Sequence, residues 1–144
     1  MTKHRSVALL ALIGLGAILS GCAGSVMGNG MDFRTARDAY MACAKANGAA
    51  NVSALGAGAA LERARSEGVR FDAIWSNPPV RVGKEAMHRM LSDWLSLLAP
   101  GGAAYLVVQR NLGADSLVAW LVSQGMTARR YASKKGYRII EVTA

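Results

Sequence analysis

The sequence predicts an α/β fold: an open, mostly parallel sheet with helices on both faces and a C-terminal antiparallel hairpin. Three observations carry this expectation. Short apolar runs rich in β-branched and aromatic residues alternate with longer stretches of helical periodicity. Prolines at Pro78-Pro79 and Pro100 punctuate that alternation. Near the C-terminus, two strand-like segments flank Lys134-Lys135-Gly136. At 144 residues the chain suits one domain. Its 52% hydrophobic and 18% charged residues support a packed core and exclude general disorder.

The elements follow in order. Ser6 to Ile13 reads as a buried parallel strand, because such strands are continuous apolar runs. Gly14-Leu15-Gly16-Ala17-Ile18 follows as a glycine-containing turn into a helix, where backbone N–H groups can approach a cofactor. Thr35 can cap and Gly48 can end a helix with Ala36, Ala39, Tyr40, Cys43 and Ala46 on one face. Asn51 to Leu55 is a short strand candidate, and Ala59 to Glu67 a polar, exposed helix or loop. Phe71 to Ser76 is a strand that Pro78 and Pro79 stop, since proline has no N–H for the ladder. Lys84 to Leu98 is a helix whose Met87, Met90, Leu91, Trp94, Leu95 and Leu98 form one stripe, ended by Pro100-Gly101-Gly102. Ala103 to Gln109 is a buried strand. Asp115 can cap a helix carrying Leu117, Val118, Trp120 and Leu121, which ends at Gly125. Thr127 to Ser133 and Tyr137 to Val142 form the hairpin.

The N-terminus supports a second reading. Met1-Thr2-Lys3-His4-Arg5 is basic, an apolar run follows, and Leu19-Ser20-Gly21-Cys22 closes it. This shape resembles a bacterial lipoprotein signal peptide, in which the cysteine is lipidated and becomes the new N-terminus. The two readings exclude each other, because cleavage before Cys22 removes the Ser6–Ile13 strand together with Gly14 and Gly16.

The formal net charge is +8, from 17 Lys+Arg against 9 Asp+Glu. Such an excess favours a polyanionic partner: RNA, DNA or an anionic membrane surface. Arg129, Arg130, Lys134, Lys135 and Arg138 concentrate it on the hairpin, where they fit either phosphate contact or protection of a sheet edge. Cys22 and Cys43 form no C-x-x-C pair, and no His stands at ligand spacing from either, so no metal is expected. His88 is expected at the surface, and Trp94 and Trp120 in the core.

Four segments together carry a family resemblance. They are Phe71-Asp72-Ala73-Ile74-Trp75-Ser76-Asn77-Pro78-Pro79, Leu98-Ala99-Pro100-Gly101-Gly102, Tyr105-Leu106-Val107-Val108-Gln109 and Lys135-Gly136-Tyr137-Arg138. In order, spacing and residue type this half of the chain resembles class I S-adenosylmethionine-dependent methyltransferases. The likeness is to the small methyltransferase domain of ribosomal RNA guanine-N2 enzymes, with its Rossmann-like sheet. The run from Ala36-Arg37 through Ala46-Asn47 to Asn51-Val52 is similar to the family's second helix and third strand.

The resemblance implies methyl transfer from S-adenosylmethionine to an exocyclic nucleobase amine, guanine N2 in ribosomal RNA, in the cytoplasm. Asn77, Pro78 and Pro79 would be the catalytic loop, the Asn77 side-chain carbonyl and the Pro78 backbone carbonyl accepting the two amine hydrogens. Gly14 and Gly16 would match the cofactor loop, and Asp32 the residue that binds the cofactor ribose. Val80 stands where family members often carry an aromatic residue, with Arg81 next, and these two are the expected substrate contacts. The cofactor half departs from the pattern: Ala11 stands in the neighbourhood of an acidic residue, and residues 25–31 are short and glycine-rich. One methyltransferase-like domain over residues 1–144 is therefore expected, with 32–144 its well-matched part and 1–31 either a degenerate cofactor-loop region or a lipoprotein-like signal segment. The alternatives are a membrane lipoprotein lipidated at Cys22 and an inactive RNA-binding remnant.

Overall fold

A computed structural model describes residues 7–10, 42, 55 and 57–144. In chain order these residues form β1 (Val7–Leu10), α1 (Ala57–Ser66), β2 (Phe71–Ser76), α2 (Lys84–Leu95), β3 (Leu98–Gln109), α3 (Ala114–Ser123), β4 (Thr127–Lys134) and β5 (Tyr137–Thr143). Single 3-10 turns at Val80–Val82 and Arg110–Leu112 lead into α2 and α3. The expected helix through Thr35–Gly48 and strand at Asn51–Leu55 fall outside the described residues, apart from Ala42 and Leu55.

The five strands form one open sheet in the order β1-β2-β3-β5-β4. β1, β2 and β3 run parallel, and β5 and β4 join antiparallel, so the sheet is mixed with the hairpin at its edge. β1 lies within the run expected to be a strand, and it pairs Leu10 with Ser76. Its apolar, uncharged sequence suits a strand inside a sheet rather than at a wet edge.

Alternation divides the sheet into two faces. Ile74, Ala104, Leu106, Val108, Ile140 and Val142 are buried on one. Against them pack Ala64 of α1, Met87, Leu91, Trp94 and Leu95 of α2, and Ala114, Leu117 and Leu121 of α3. α2 buries one stripe because its apolar residues recur at three and four positions. Ion pairs tie the surface of this layer: Arg65 of α1 reaches Asp93 of α2 at 2.5 Å. The opposite face carries Trp75, Tyr105 and Glu141, placed side by side by strand register.

Three local expectations are corrected. α2 ends at Leu95, and Leu98 already opens β3. Pro100-Gly101-Gly102 does not separate helix from strand but sits inside β3 as an irregularity. Phe71 pairs with Leu98 and Ala73 with Ala103, so five steps on β3 match two on β2. The extra residues loop out around Gly101, whose φ is +78°. Asp115 does not cap α3: Gly113, at φ 90° and ψ 25°, holds that position without a side-chain cap, and Asp115 instead pairs with Arg138 of β5. An acidic side chain in the first turn still favours the positive end of the helix dipole.

His88 is half-buried rather than fully exposed. Its ring stacks on Trp120 at a centroid distance of 3.8 Å and an interplanar angle of 9°, joining α2 to α3. The imidazole replaces solvent with a flat apolar neighbour, which the helical periodicity of either segment alone does not foretell. Trp94 is 4% exposed and belongs to the core as expected. Trp120 packs against the core from its edge.

Candidate active site at the carboxyl ends of the parallel strands

β2 is apolar from Ala73 to Trp75, and at Ser76 the chain changes character. Asn77 is exposed, Pro78 buried and Pro79 half-buried. The two prolines cannot continue the ladder, so the chain leaves the sheet at the carboxyl end of β2. It closes a 3-10 turn in which the Val82 N–H donates to the Pro79 carbonyl at 3.3 Å. Gly83 then adopts φ 95° and ψ 152°, a conformation open to glycine, and turns the chain into α2. The result is a short loop held at both ends, by the sheet and by a helix whose Met87 and Leu91 are in the core.

The neighbours of this loop follow from register. Leu10 of β1, Ser76 of β2 and Leu106 of β3 lie abreast. The carboxyl end of β1 therefore opens directly beside Asn77, on the rim where open α/β sheets bind ligands. Gly14, Gly16 and Asp32, the expected cofactor residues, lie outside the described residues. Val80 turns inward and packs against the core, while Arg81 is exposed. The structure thus separates the two expected substrate contacts, Val80 half-buried against the core and Arg81 free to meet solvent or ligand. Val82, Gly83, Lys84, Glu85, Ala86 and Arg89 line a shallow, open depression next to the loop. Among the described residues, no three His, Cys, Asp or Glu side chains gather as a metal site.

One polar group on this rim is not marked by any motif of the sequence. The Ser76 hydroxyl is buried without a hydrogen-bond partner among the described residues. An unsatisfied buried hydroxyl costs about 1–3 kcal/mol, and its position one residue before Asn77 makes it a group that a ligand at this rim can satisfy. The visible signal was a serine closing the apolar run Ala73-Ile74-Trp75.

Behind the rim, aromatic and charged side chains cross the second face of the sheet. Trp75 stacks on Tyr105 with centroids 4.6 Å apart, and Tyr105 meets the edge of Tyr131 at 5.6 Å. The Tyr105 hydroxyl donates to Glu141 at 3.3 Å, and Glu141 binds Arg129 at 2.5 Å. Desolvation, with help from the Glu141 carboxylate, holds the Tyr105 phenol above its ordinary pKa and keeps it a donor. On α2, burial and then the positive charge of Lys84 hold His88 below its ordinary value. His88 is therefore neutral near pH 7, and its Nε2 is buried without a partner among the described residues.

Comparison with known proteins agrees with this architecture. The methyltransferase small domain family matches residues 13–141. The chain is 32% identical over 71 residues to an uncharacterized protein, YbxB, of Bacillus subtilis (strain 168). That match covers 49% of this chain and 35% of YbxB, so the chain spans about a third of the length of this curated relative. Among solved structures it shares the fold of an rRNA methylase from Streptococcus thermophilus, with a TM-score of 0.58, 14% identity and coverage of 96% of this chain and 86% of that one. It shares it too with an O-methyltransferase family protein from Burkholderia thailandensis, with a TM-score of 0.55, 14% identity and coverage of 76% and 41%. With nine-tenths of its residues inside the family match and the same mixed sheet, the chain belongs to the methyltransferase small domain family, whose members are S-adenosylmethionine-dependent methyltransferases.

Proposed function

We propose that this protein transfers a methyl group from S-adenosylmethionine to an exocyclic amine of a nucleobase, guanine N2 in ribosomal RNA, as one methyltransferase domain over residues 1–144 acting in the cytoplasm. The observation that carries the reading is the Asn77-Pro78-Pro79 loop, exposed at its asparagine and braced at both ends beside the carboxyl end of β1. A nitrogen attacking a methyl carbon needs alignment more than acid–base help. In this reading the Asn77 side-chain carbonyl and the Pro78 backbone carbonyl accept the two amine hydrogens and aim the lone pair. The prolines restrict the loop, so the acceptors are oriented before substrate arrives. Arg81 faces the substrate backbone, and Val80 seats the loop on the core.

At the rim, the buried Ser76 hydroxyl has no hydrogen-bond partner among the described residues, which fits a bound ligand there. Gly14 and Gly16 are the residues assigned to the cofactor loop, and Asp32 to its ribose. When bound, S-adenosylmethionine supplies a sulfonium methyl as the electrophile. The +8 charge supports a nucleic-acid substrate, as does the shared fold with a protein described as an rRNA methylase. The pairing of β1 with β2 argues against cleavage before Cys22, because the cleaved chain loses that strand. No described helix is long and apolar enough to cross a membrane.

The test is Asn77→Ala. Transfer of labelled methyl to ribosomal RNA is expected to fall by at least about a hundredfold, as for loss of a preorganised polar group. Thermal unfolding of the variant is expected to match the parent, since Asn77 is exposed. Undiminished transfer overturns the assigned role. Absence of transfer by the parent, despite calorimetric binding of S-adenosylmethionine, overturns the RNA substrate.

A further inference from the structure

The hairpin tip lies on the same rim as the Asn77 loop. β3 runs parallel to β2, and its last residue, Gln109, pairs with Tyr137 at the start of β5. The Arg110 N–H donates to the Gly136 carbonyl at 2.8 Å, which fastens the segment after β3 to the turn. Arg110, Lys134, Lys135 and Tyr137 are thereby brought together, and all four are exposed. From strand spacing and residue rise, this cluster lies on the order of 15 Å from Asn77, a span of a few nucleotides.

Charge pairing separates these cations from their neighbours. Arg129 is held by Glu141, and Arg138 by Asp115. Among the described residues, Arg110, Lys134 and Lys135 have no carboxylate partner. Protection of an edge strand explains Arg129 and Arg130 along β4. It does not explain Arg110 and Lys135, which lie beyond the strand ends. Lys135 also adopts φ 48°, a conformation that Asn or Gly accommodates at lower cost, so a lysine there carries charge against a conformational penalty. Tyr137, 48% exposed, adds an aromatic surface beside the charges. Cations that follow a backbone, next to a ring on which a base can stack, are the combination that binds single-stranded nucleic acid.

We infer that Arg110, Lys134, Lys135 and Tyr137 form an anchor for single-stranded RNA flanking the base presented at Asn77. The anchor rests on the reading of RNA as substrate. The phosphates contact the three cations and a neighbouring base stacks on Tyr137.

The test uses the full chain and a fluorescently labelled, mixed-sequence single-stranded RNA, with anisotropy followed across a salt series. The variant is Arg110→Gln/Lys134→Gln/Lys135→Asn, with asparagine chosen because it tolerates the positive φ. Its affinity is expected to fall about tenfold or more, and the slope of log affinity against log salt to decrease by about 2, for three lost phosphate contacts. Tyr137→Ala should weaken binding without changing that slope. Circular dichroism and calorimetry with S-adenosylmethionine should be unchanged in both. Equal affinity and equal slope in the triple variant overturn the anchor, even if methyl transfer by the parent is established. Capture by phosphatidylserine vesicles that depends on the same residues, with RNA binding unaffected, overturns it in favour of a membrane surface. Loss of methyl transfer in Asn77→Ala judges the reaction, and the affinity and salt slope of the triple variant judge the anchor.

Discussion

His88 illustrates how one contact changes the chemistry of a residue. Stacked on Trp120 with its Nε2 buried, it is held below its ordinary pKa of 6.5 by burial and by Lys84. The unfolded chain binds this proton more readily than the folded one. Stability is therefore undiminished above pH 6.5 and falls as pH drops from there through the lowered folded value. Stability to heat is expected to weaken as pH falls below 6.5, where the unfolded histidine takes up its proton. His88→Phe keeps a ring against Trp120 and removes the proton, so its profile should be flatter. An equally steep profile would show that other groups, the carboxylates among them, set the acid response.

At the scale of elements, the irregularity between β2 and β3 sets the reach of the rim. β3 loops out at residues 99–102 and still regains register at Ala103, which lets Leu106 stand beside Ser76. Gly102 is the pivot. A Cβ there would meet the Phe71, Ala99 and Asp72 carbonyl oxygens at 2.8, 3.0 and 3.1 Å. These are backbone atoms and cannot rotate away. Gly102→Ala is expected to cost about 1–3 kcal/mol, read as a lowered midpoint in urea at an unchanged slope. Gly101→Ala meets no neighbouring atom and would report only the strain of a positive φ. A neutral Gly102→Ala would show that β3 can shift away from β2, and that this register does not hold the site.

For the molecule as a whole, β1 is the element on which competing readings of the N-terminus divide. Its pairing covers the backbone of β2 from Ala73 to Ser76. A chain beginning at Cys22 leaves those N–H and C=O groups, and the apolar strand that bears them, without that cover, at the cost of an unsatisfied buried backbone. The shortened chain is expected to lose cooperative thermal unfolding and to aggregate. A melt as sharp as that of the parent would show that the fold does without β1.

Much of this arrangement was legible in the residues themselves, for local reasons. The β2 and hairpin segments announce themselves by β-branched and aromatic content, α2 by its three-and-four stripe, and the end of β2 by prolines that cannot join a ladder. Asn77-Pro78-Pro79 was legible as a loop because proline acts on its own backbone, whatever the rest of the chain does. Other features depend on partners distant in sequence. Pro100-Gly101-Gly102 has the composition of a turn between elements, and only the register with Phe71 and Ala73 makes it part of a strand. Asp115 has the chemistry of a cap, and Arg138, 23 residues away, draws it elsewhere. His88 lies on the polar side of its own helix, yet Trp120 of the next helix covers it. The sequence by itself determined the elements and the loop, because propensity, proline geometry and hydrophobic period act over a few residues. Only the tertiary structure decided which strand ends share a rim, which charges stay unpaired and which polar atoms are buried, because those depend on the register of strands far apart in the chain.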